Sequence, residues 1–132
     1  DLVGYHGSRD GRGFFGTIDV ETGTRTERPS QALDTQHYAH YHVSPDGRFV
    51  VTDGEVSRDS ISISSLESSR LDFRTICRHG WARDQDQRFH PHPHWHQGGR
   101  YITFTGCVQS VTGVTQSRVF LMELPSTGIG MQ

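Results

Sequence analysis

The sequence contains no lysine and no asparagine, so all 13 of its basic residues are arginine. The absence of asparagine excludes N-glycosylation. This composition is typical of a GC-rich genome, in which the codons for both missing residues are depleted. The formal net charge is only −2, which gives no electrostatic signal for nucleic acid or for an anionic membrane. We therefore expect neither of these partners.

Hydrophobic residues are scarce as well, at 32% of the chain. No stretch is long or apolar enough to predict a transmembrane helix or a signal peptide. The 15 glycines favour short strands and turns, and no window shows the spacing of an amphipathic helix. Cys77 and Cys107 lie apart in strand-like runs. They are predicted to be buried free thiols of a reducing compartment, so a cytoplasmic location is expected.

One sequence unit recurs three times, as SRDGRGFFGT (8–17), SPDGRFVVTDG (44–54) and HQGGRYITFTG (96–106). In each copy a turn with glycine near its end precedes an aromatic and β-branched run, which is the pattern of a β-hairpin. Further strand candidates, including SISISSLE and SRVFLMEL, lie between and after the copies. Repeats of this length with several short strands predict the blades of a β-propeller.

The expected fold is therefore all-β, with residues 1–132 forming a partial propeller whose units start near 8, 44 and 96. About two to three blades do not close a ring, and their open sheet edges favour aggregation. We expect the remainder of the propeller to be missing from this chain. A self-contained β-sandwich is the alternative, although the repeat stays in phase with the turns.

The densest group of histidines lies in QRFHPHPHWH (87–96). Four histidines there occupy alternate positions: His90, His92, His94 and His96. In an extended segment they project from one face, and a row of neutral imidazoles suits a borderline metal ion. Pro91 and Pro93 lack an N–H for a ladder, so an edge or cavity-lining strand is predicted. A solvated histidine-rich loop is the alternative.

The repeat also relates the histidines to one another. The second residue before each turn is His6, His42 or His94, and the fourth is Gly4, His40 or His92. In a propeller the strand before this turn is innermost and lines the central channel. Neighbouring blades are therefore predicted to direct histidines toward one point on the axis.

These residues resemble the oligogalacturonate (oligogalacturonide) lyase family, seven-bladed propellers that degrade pectin fragments. The resemblance rests on HYAHYHVSPDGRFVVTDG (37–54), on ICRHGW (76–81), and on the Q-x-x-H-P-H-P motif from Gln87 to Pro93, followed by GRYITFTG. It is dense over 37–106, extends at low density over the rest of the chain, and corresponds to the family's C-terminal third.

The resemblance implies a divalent metal, typically manganese, held by three histidines and a glutamine. Carried onto this sequence, the ligands are His40, Gln87, His90 and His92. The implied reaction is β-elimination from a short oligogalacturonide substrate. A histidine base removes the C5 proton of a uronate whose carboxylate charge the metal neutralises.

The remaining site residues follow from the same comparison. The family's base lies on the blade before the metal ligands, where His6 is the histidine present, although the family's position is closer to Gly4. His42 and His94 are candidates for the channel wall, where they bind substrate or support the metal ligands. Arg9 is a candidate clamp for a carboxylate, with a solvated turn arginine as its alternative.

Two other functions remain as alternatives. A TolB-like propeller scaffold, which binds a protein or another ligand without catalysis, needs no metal. A propeller hydrolase needs a carboxylate pair or a nucleophile elbow, and G-x-S-x-G does not occur in the sequence. The nearest acids are Asp46, Asp53 and Asp84, of which the first two are predicted to be turn residues.

Overall fold

A computed structural model describes residues 1–30, 40–53, 59–79, 90–113 and 115–125. This part of the chain is all-β, as predicted, with no helix and hence none that could span a membrane. Its strands are β1 (Leu2–Arg9), β2 (Arg12–Asp19), β3 (Arg25–Pro29), β4 (Tyr41–Val43), β5 (Phe49–Asp53), β6 (Ser60–Ser65), β7 (Arg74–Arg78), β8 (His94–Trp95), β9 (Tyr101–Gln109) and β10 (Thr115–Glu123).

Each copy of the repeat forms an antiparallel hairpin. In the first copy Asp10 and Gly11 both have positive φ, at 52° and 75°, as a two-residue hairpin turn requires. The other two turns are wider: the N–H of Ser44 donates to the carbonyl of Phe49, and that of His96 donates to the carbonyl of Tyr101. The predicted hairpins at 8–17, 44–54 and 96–106 are therefore confirmed.

Strand register is the same in the three hairpins despite the different turns. His6 lies opposite Phe15, and His42 lies opposite Val51. His94 lies opposite Thr103 in the third hairpin. The three histidines therefore occupy equivalent positions of the repeat.

The strands form three separate antiparallel sheets in chain order. The first sheet is β1-β2-β3, the second is β4-β5-β6-β7, and the third has the order β10-β9-β8. Within each sheet the strand before the repeat turn is an edge strand, and β4 lies in contact with both β1 and β8. No sheet in the described part of the chain closes on itself.

Two apolar clusters join the sheets because adjacent residues of β5 point to opposite faces. Val50 packs with Phe15, Leu66 and Leu71 between the first and second sheets. Val51 belongs to the cluster between the second and third sheets, whose buried members are Val51, Ile61, Ile63, Trp95, Ile102, Phe104 and Leu124. Burial of these side chains is the main stabilising contribution to the arrangement of sheets.

The outward side of the third sheet is different. Val119 and Leu121 of β10 are 78% and 63% exposed, whereas Phe120 and Met122 between them pack against the inner cluster. Leu2 and Val3 at the start of β1 are likewise more than half exposed, at 59% and 52%. Apolar side chains therefore remain exposed on both the third and the first sheet.

The two cysteines are free, as predicted, but half-buried rather than fully buried. Burial of Cys77 among apolar side chains raises the pKa of its thiol. Its sulfur is therefore protonated at neutral pH, which is typical of an unreactive structural cysteine.

Candidate metal centre

The histidine-rich segment alternates in burial as predicted. Pro91, Pro93 and Trp95 are buried, His90 is half-buried, and His92, His94 and His96 are exposed. The histidines thus share the less buried side of the segment. Only His94–Trp95 is a regular strand, and it lies at an edge of the third sheet. The edge position agrees with the prediction from the two prolines.

Three histidines from two repeats converge just before strands β4 and β8. One ring nitrogen from each of His40, His90 and His92 lies within 4.8 Å of the others. The ring centroids of His40 and His92 are 3.8 Å apart, and those of His40 and His90 are 5.0 Å apart. Thus the residue before β4 and the segment before β8 bring together the three histidines that the family resemblance implies as ligands.

Asp53 lies directly behind this cluster and is only 4% exposed. Its Oδ1 accepts the backbone N–H of His40 at 2.6 Å, and its Oδ2 lies 3.1 Å from Nδ1 of the same histidine. Oδ2 also accepts the backbone N–H of His92 at 3.2 Å. The prediction of Asp53 as a turn residue is therefore wrong, because it is the last residue of β5 and is buried against two of the histidines.

The backbone of His92 has φ 44°, in the left-handed region that an L residue other than glycine rarely adopts. The residue lies between Pro91 and Pro93, whose φ angles are fixed by their rings. Strained backbone of this kind is found where a side chain must be held in a particular direction. Here it accompanies a ring that faces His40.

Glycine at this position is expected to give a more stable protein than alanine. Both substitutions remove the imidazole, but the alanine Cβ retains the left-handed strain of about 1–2 kcal/mol. Urea unfolding should therefore place His92→Gly about 1 kcal/mol above His92→Ala in free energy of unfolding. His94 is a strand residue without positive φ and serves as the control position. There His94→Ala should be more stable than His94→Gly. The same order at both positions would contradict strain at His92.

The pKa of His92 is lowered, first by desolvation of its ring and then by the neighbouring His40, while Asp53 acts in the opposite direction. The pKa of His42 is lowered by burial and then by His94. Both rings are therefore neutral at pH 7. A neutral imidazole keeps the lone pair that a metal ion or a hydrogen-bond donor requires.

His42 and His94 form a second contact between the same two sheets. Their ring centroids lie 3.6 Å apart. The backbone N–H of Trp95 donates to Nδ1 of His42 at 3.1 Å, and Nδ1 of His94 donates to the Trp95 carbonyl at 2.8 Å. Since both Nδ1 atoms have partners, the Nε2 atoms are the ones available to a ligand. Their role at a channel wall stays a prediction.

His6 lies on β1, exposed, with its ring centroid 4.8 Å from that of Tyr41. His6 thus faces β4 in the same way that His42 faces β8. It contacts Tyr41, the neighbour of His40, and not the three-histidine cluster. At Gly4 a Cβ atom would meet the Phe15 ring at 2.9 Å. A side chain at this position, which is equivalent to that of His40, would require the Phe15 ring to shift. His6 is the histidine that the first sheet presents.

Arg9 is not brought to the histidine cluster by any contact among the described residues. Its guanidinium forms an ion pair with Glu27 at 2.9 Å and lies over the Phe14 ring. Tyr5, whose hydroxyl donates to the same carboxylate, shares this face of β1, opposite to that of His6.

The remaining predicted positions are distributed as follows. Gln87 lies outside the described residues, as does Asp84. His79 is 4% exposed, and its carbonyl accepts the N–H of Cys107 in the third sheet. It therefore lies in the protein interior. His96 is exposed and has its ring edge-on to Tyr101.

Comparisons of the sequence with protein-family models and with curated proteins, and of the fold with solved structures, found no match. The functional proposal therefore depends on the chemistry of the site. Three imidazole nitrogens, backed by a buried carboxylate, suit a divalent transition metal better than calcium or magnesium, which prefer oxygen. The three histidines thus fit a divalent transition metal.

Asp53 is the residue of this site whose role the sequence did not reveal. The other two copies of the repeat have threonine at the equivalent position, Thr17 and Thr105. The available signal was a carboxylate in the second copy at the position where the other two copies have threonine. It is informative only once β4 and β5 are aligned, because alignment places Asp53 beside His40.

Proposed function

We propose that the protein is a metal-dependent lyase of the oligogalacturonide lyase type, built on a β-propeller to which these three sheets contribute blades. The observation that supports it best is the convergence of His40, His90 and His92 from two successive repeats, with Asp53 behind them. A solvated histidine-rich loop would not require a ligand from the preceding repeat.

The propeller itself is supported by the relation between the sheets. Equivalent edge strands β1, β4 and β8 lie side by side in chain order. Apolar clusters fill the spaces between successive sheets. The exposed Val119 and Leu121 on the last sheet provide the apolar face against which a further blade packs.

In this proposal His40, His90 and His92 hold the divalent metal, for which manganese is expected. When bound, the metal supplies positive charge that neutralises the substrate carboxylate and acidifies the C5 proton. His6, separate from the ligands, accepts that proton on a free ring nitrogen. The electron pair of the C5–H bond forms the C4=C5 double bond, and the C4–O bond breaks, its electrons leaving with the oxygen. His42 and His94 direct their Nε2 atoms toward the substrate from the channel wall.

The hydrogen bonds of Asp53, the carboxylate beside the cluster, favour elimination over hydrolysis. Glycoside hydrolases place two carboxyl groups on either side of the scissile bond. Asp53, the carboxylate that the described residues place against the cluster, is buried and already accepts hydrogen bonds from His40 and His92. It is therefore not available as a general acid or a nucleophile.

Two measurements on the purified protein test this proposal. We expect about one equivalent of bound divalent metal by elemental analysis, because the three ligands form a single cluster. Incubation with digalacturonate should give products whose summed mass equals that of the substrate, as elimination adds no water. A summed mass greater by one water would contradict the lyase proposal, and absence of both metal and turnover would favour a non-catalytic scaffold.

A further inference from the structure

Asp53 contacts two of the proposed metal ligands at once, and these come from different sheets. His40 precedes β4 of the second sheet, and His92 precedes β8 of the third. Both oxygens of the carboxylate are used: Oδ1 for the backbone of His40, and Oδ2 for the Nδ1 of His40 and the backbone of His92. Three donors thus converge on one buried anion.

The contact with the His40 ring has a definite chemical consequence. A carboxylate only accepts hydrogen bonds, so Nδ1 of His40, at 3.1 Å, must carry the hydrogen. In the neutral ring Nε2 is then unprotonated and presents its lone pair. A carboxylate behind a ligating histidine selects the tautomer and the ring orientation in this way.

The contact with His92 acts on the backbone instead. The N–H of His92 is held by Oδ2 at 3.2 Å in a residue whose φ is 44°. Strained conformations of this kind persist when surrounding contacts hold them in place. The same carboxylate thus fixes the direction of one ligand ring and the backbone of another.

We propose that Asp53 is a positioning residue of the metal centre, an assignment that rests on the proposed metal site. It holds His40 as the Nδ1–H tautomer with Nε2 free for the ion, and it holds His92 in register with His40 across two sheets. It does not itself ligate the ion, because its oxygens are occupied by protein donors. The threonines at the equivalent positions of the other repeats lack a carboxylate to do this.

The tautomer can be read in the metal-free protein. In ¹⁵N-labelled wild-type protein at about pH 8.5, well above the ordinary pKa of histidine, the NMR spectrum should show Nδ1 of His40 protonated and Nε2 unprotonated. Because this measurement needs neither a variant nor a metal, a predominantly Nε2–H ring in the wild type would overturn the proposal directly.

Asp53→Asn tests the role of the carboxylate with almost no change in shape. The amide can donate to Nδ1, so the ring should shift toward the Nε2–H tautomer, which offers no lone pair at Nε2. Affinity for manganese(II) alone, measured by calorimetry, should fall about 10–100-fold. Asp46→Asn is the matched control, since Asp46 bonds Ser44 and Arg48 in the exposed turn, and it should leave both the tautomer and the affinity unchanged.

Unchanged tautomer and affinity in a folded Asp53→Asn protein would overturn the assignment. Failure of the proposed function appears differently, as a wild-type protein that binds no manganese although His40 has the expected tautomer. Failure of the proposed function is thus read from manganese binding by the wild type, whereas failure of the Asp53 assignment is read from the His40 tautomer in the wild type and in Asp53→Asn.

Discussion

His92→Ala should weaken the binding of manganese(II) by more than about 100-fold. Loss of a residue that only supports a ligand typically lowers metal affinity 10–100-fold, and loss of the ligand itself costs more. The His92 ring lies 3.8 Å from that of His40, and its lowered pKa keeps it neutral. Calorimetric titration of the metal-free protein measures the loss. The strands should remain folded, since His92 lies outside β8 and its side chain is exposed.

His96→Ala is the control for this measurement. His96 belongs to the same segment and is also exposed. Its ring contacts Tyr101, the first residue of β9, rather than the cluster. Its loss should leave manganese affinity within a factor of about two. Equal affinity of wild type and His92→Ala would show that this residue is not a ligand.

His6→Ala should lower turnover of digalacturonate by about 10²–10⁴-fold while manganese affinity stays unchanged. A base must keep a free lone pair, so it has to be separate from the ligands. His6 meets this condition: it lies against Tyr41, outside the three-histidine cluster. Its position opposite Phe15 is equivalent to that of His42 opposite Val51, on the neighbouring edge strand β4.

Ser8→Ala provides the comparison for His6→Ala, since Ser8 is exposed on the same face of β1, one step nearer the turn. It should retain turnover close to that of the wild type. If His6→Ala also retains normal turnover, the base is not His6. Loss of metal binding in His6→Ala would instead place this residue among the ligands.

The features that the sequence predicted correctly are those with a short-range cause. The Asp-Gly and Gly-Gly turns specified three hairpins, and alternation along QRFHPHPHWH predicted that the histidines lie on one side of the segment, opposite to the buried Pro91 and Trp95 that the structure shows. The repeat phase placed His42 and His94 at equivalent positions, and their rings are indeed in contact.

The features that the sequence did not predict depend on contacts between strands. The burial of Asp53 follows from the alignment of β4 with β5, and its bond to His92 needs the third sheet to pack on the second. The left-handed backbone of His92 is equally non-local, because dihedral preferences alone disfavour it. Parity in an extended segment therefore indicated that the histidines share one side of the segment, but not how they are held.

The bond between the Trp95 N–H and His42 joins positions 53 residues apart, which bears on when the centre can form during synthesis. When the ribosome has completed the second hairpin, the growing chain contains only His40 of the three clustered histidines. His90 and His92 emerge much later, and contacts between residues so far apart form late in folding. On the proposed function, retention of the ion requires the third repeat to pack on the second, so a nascent chain that ends before residue 90 should be unable to retain it.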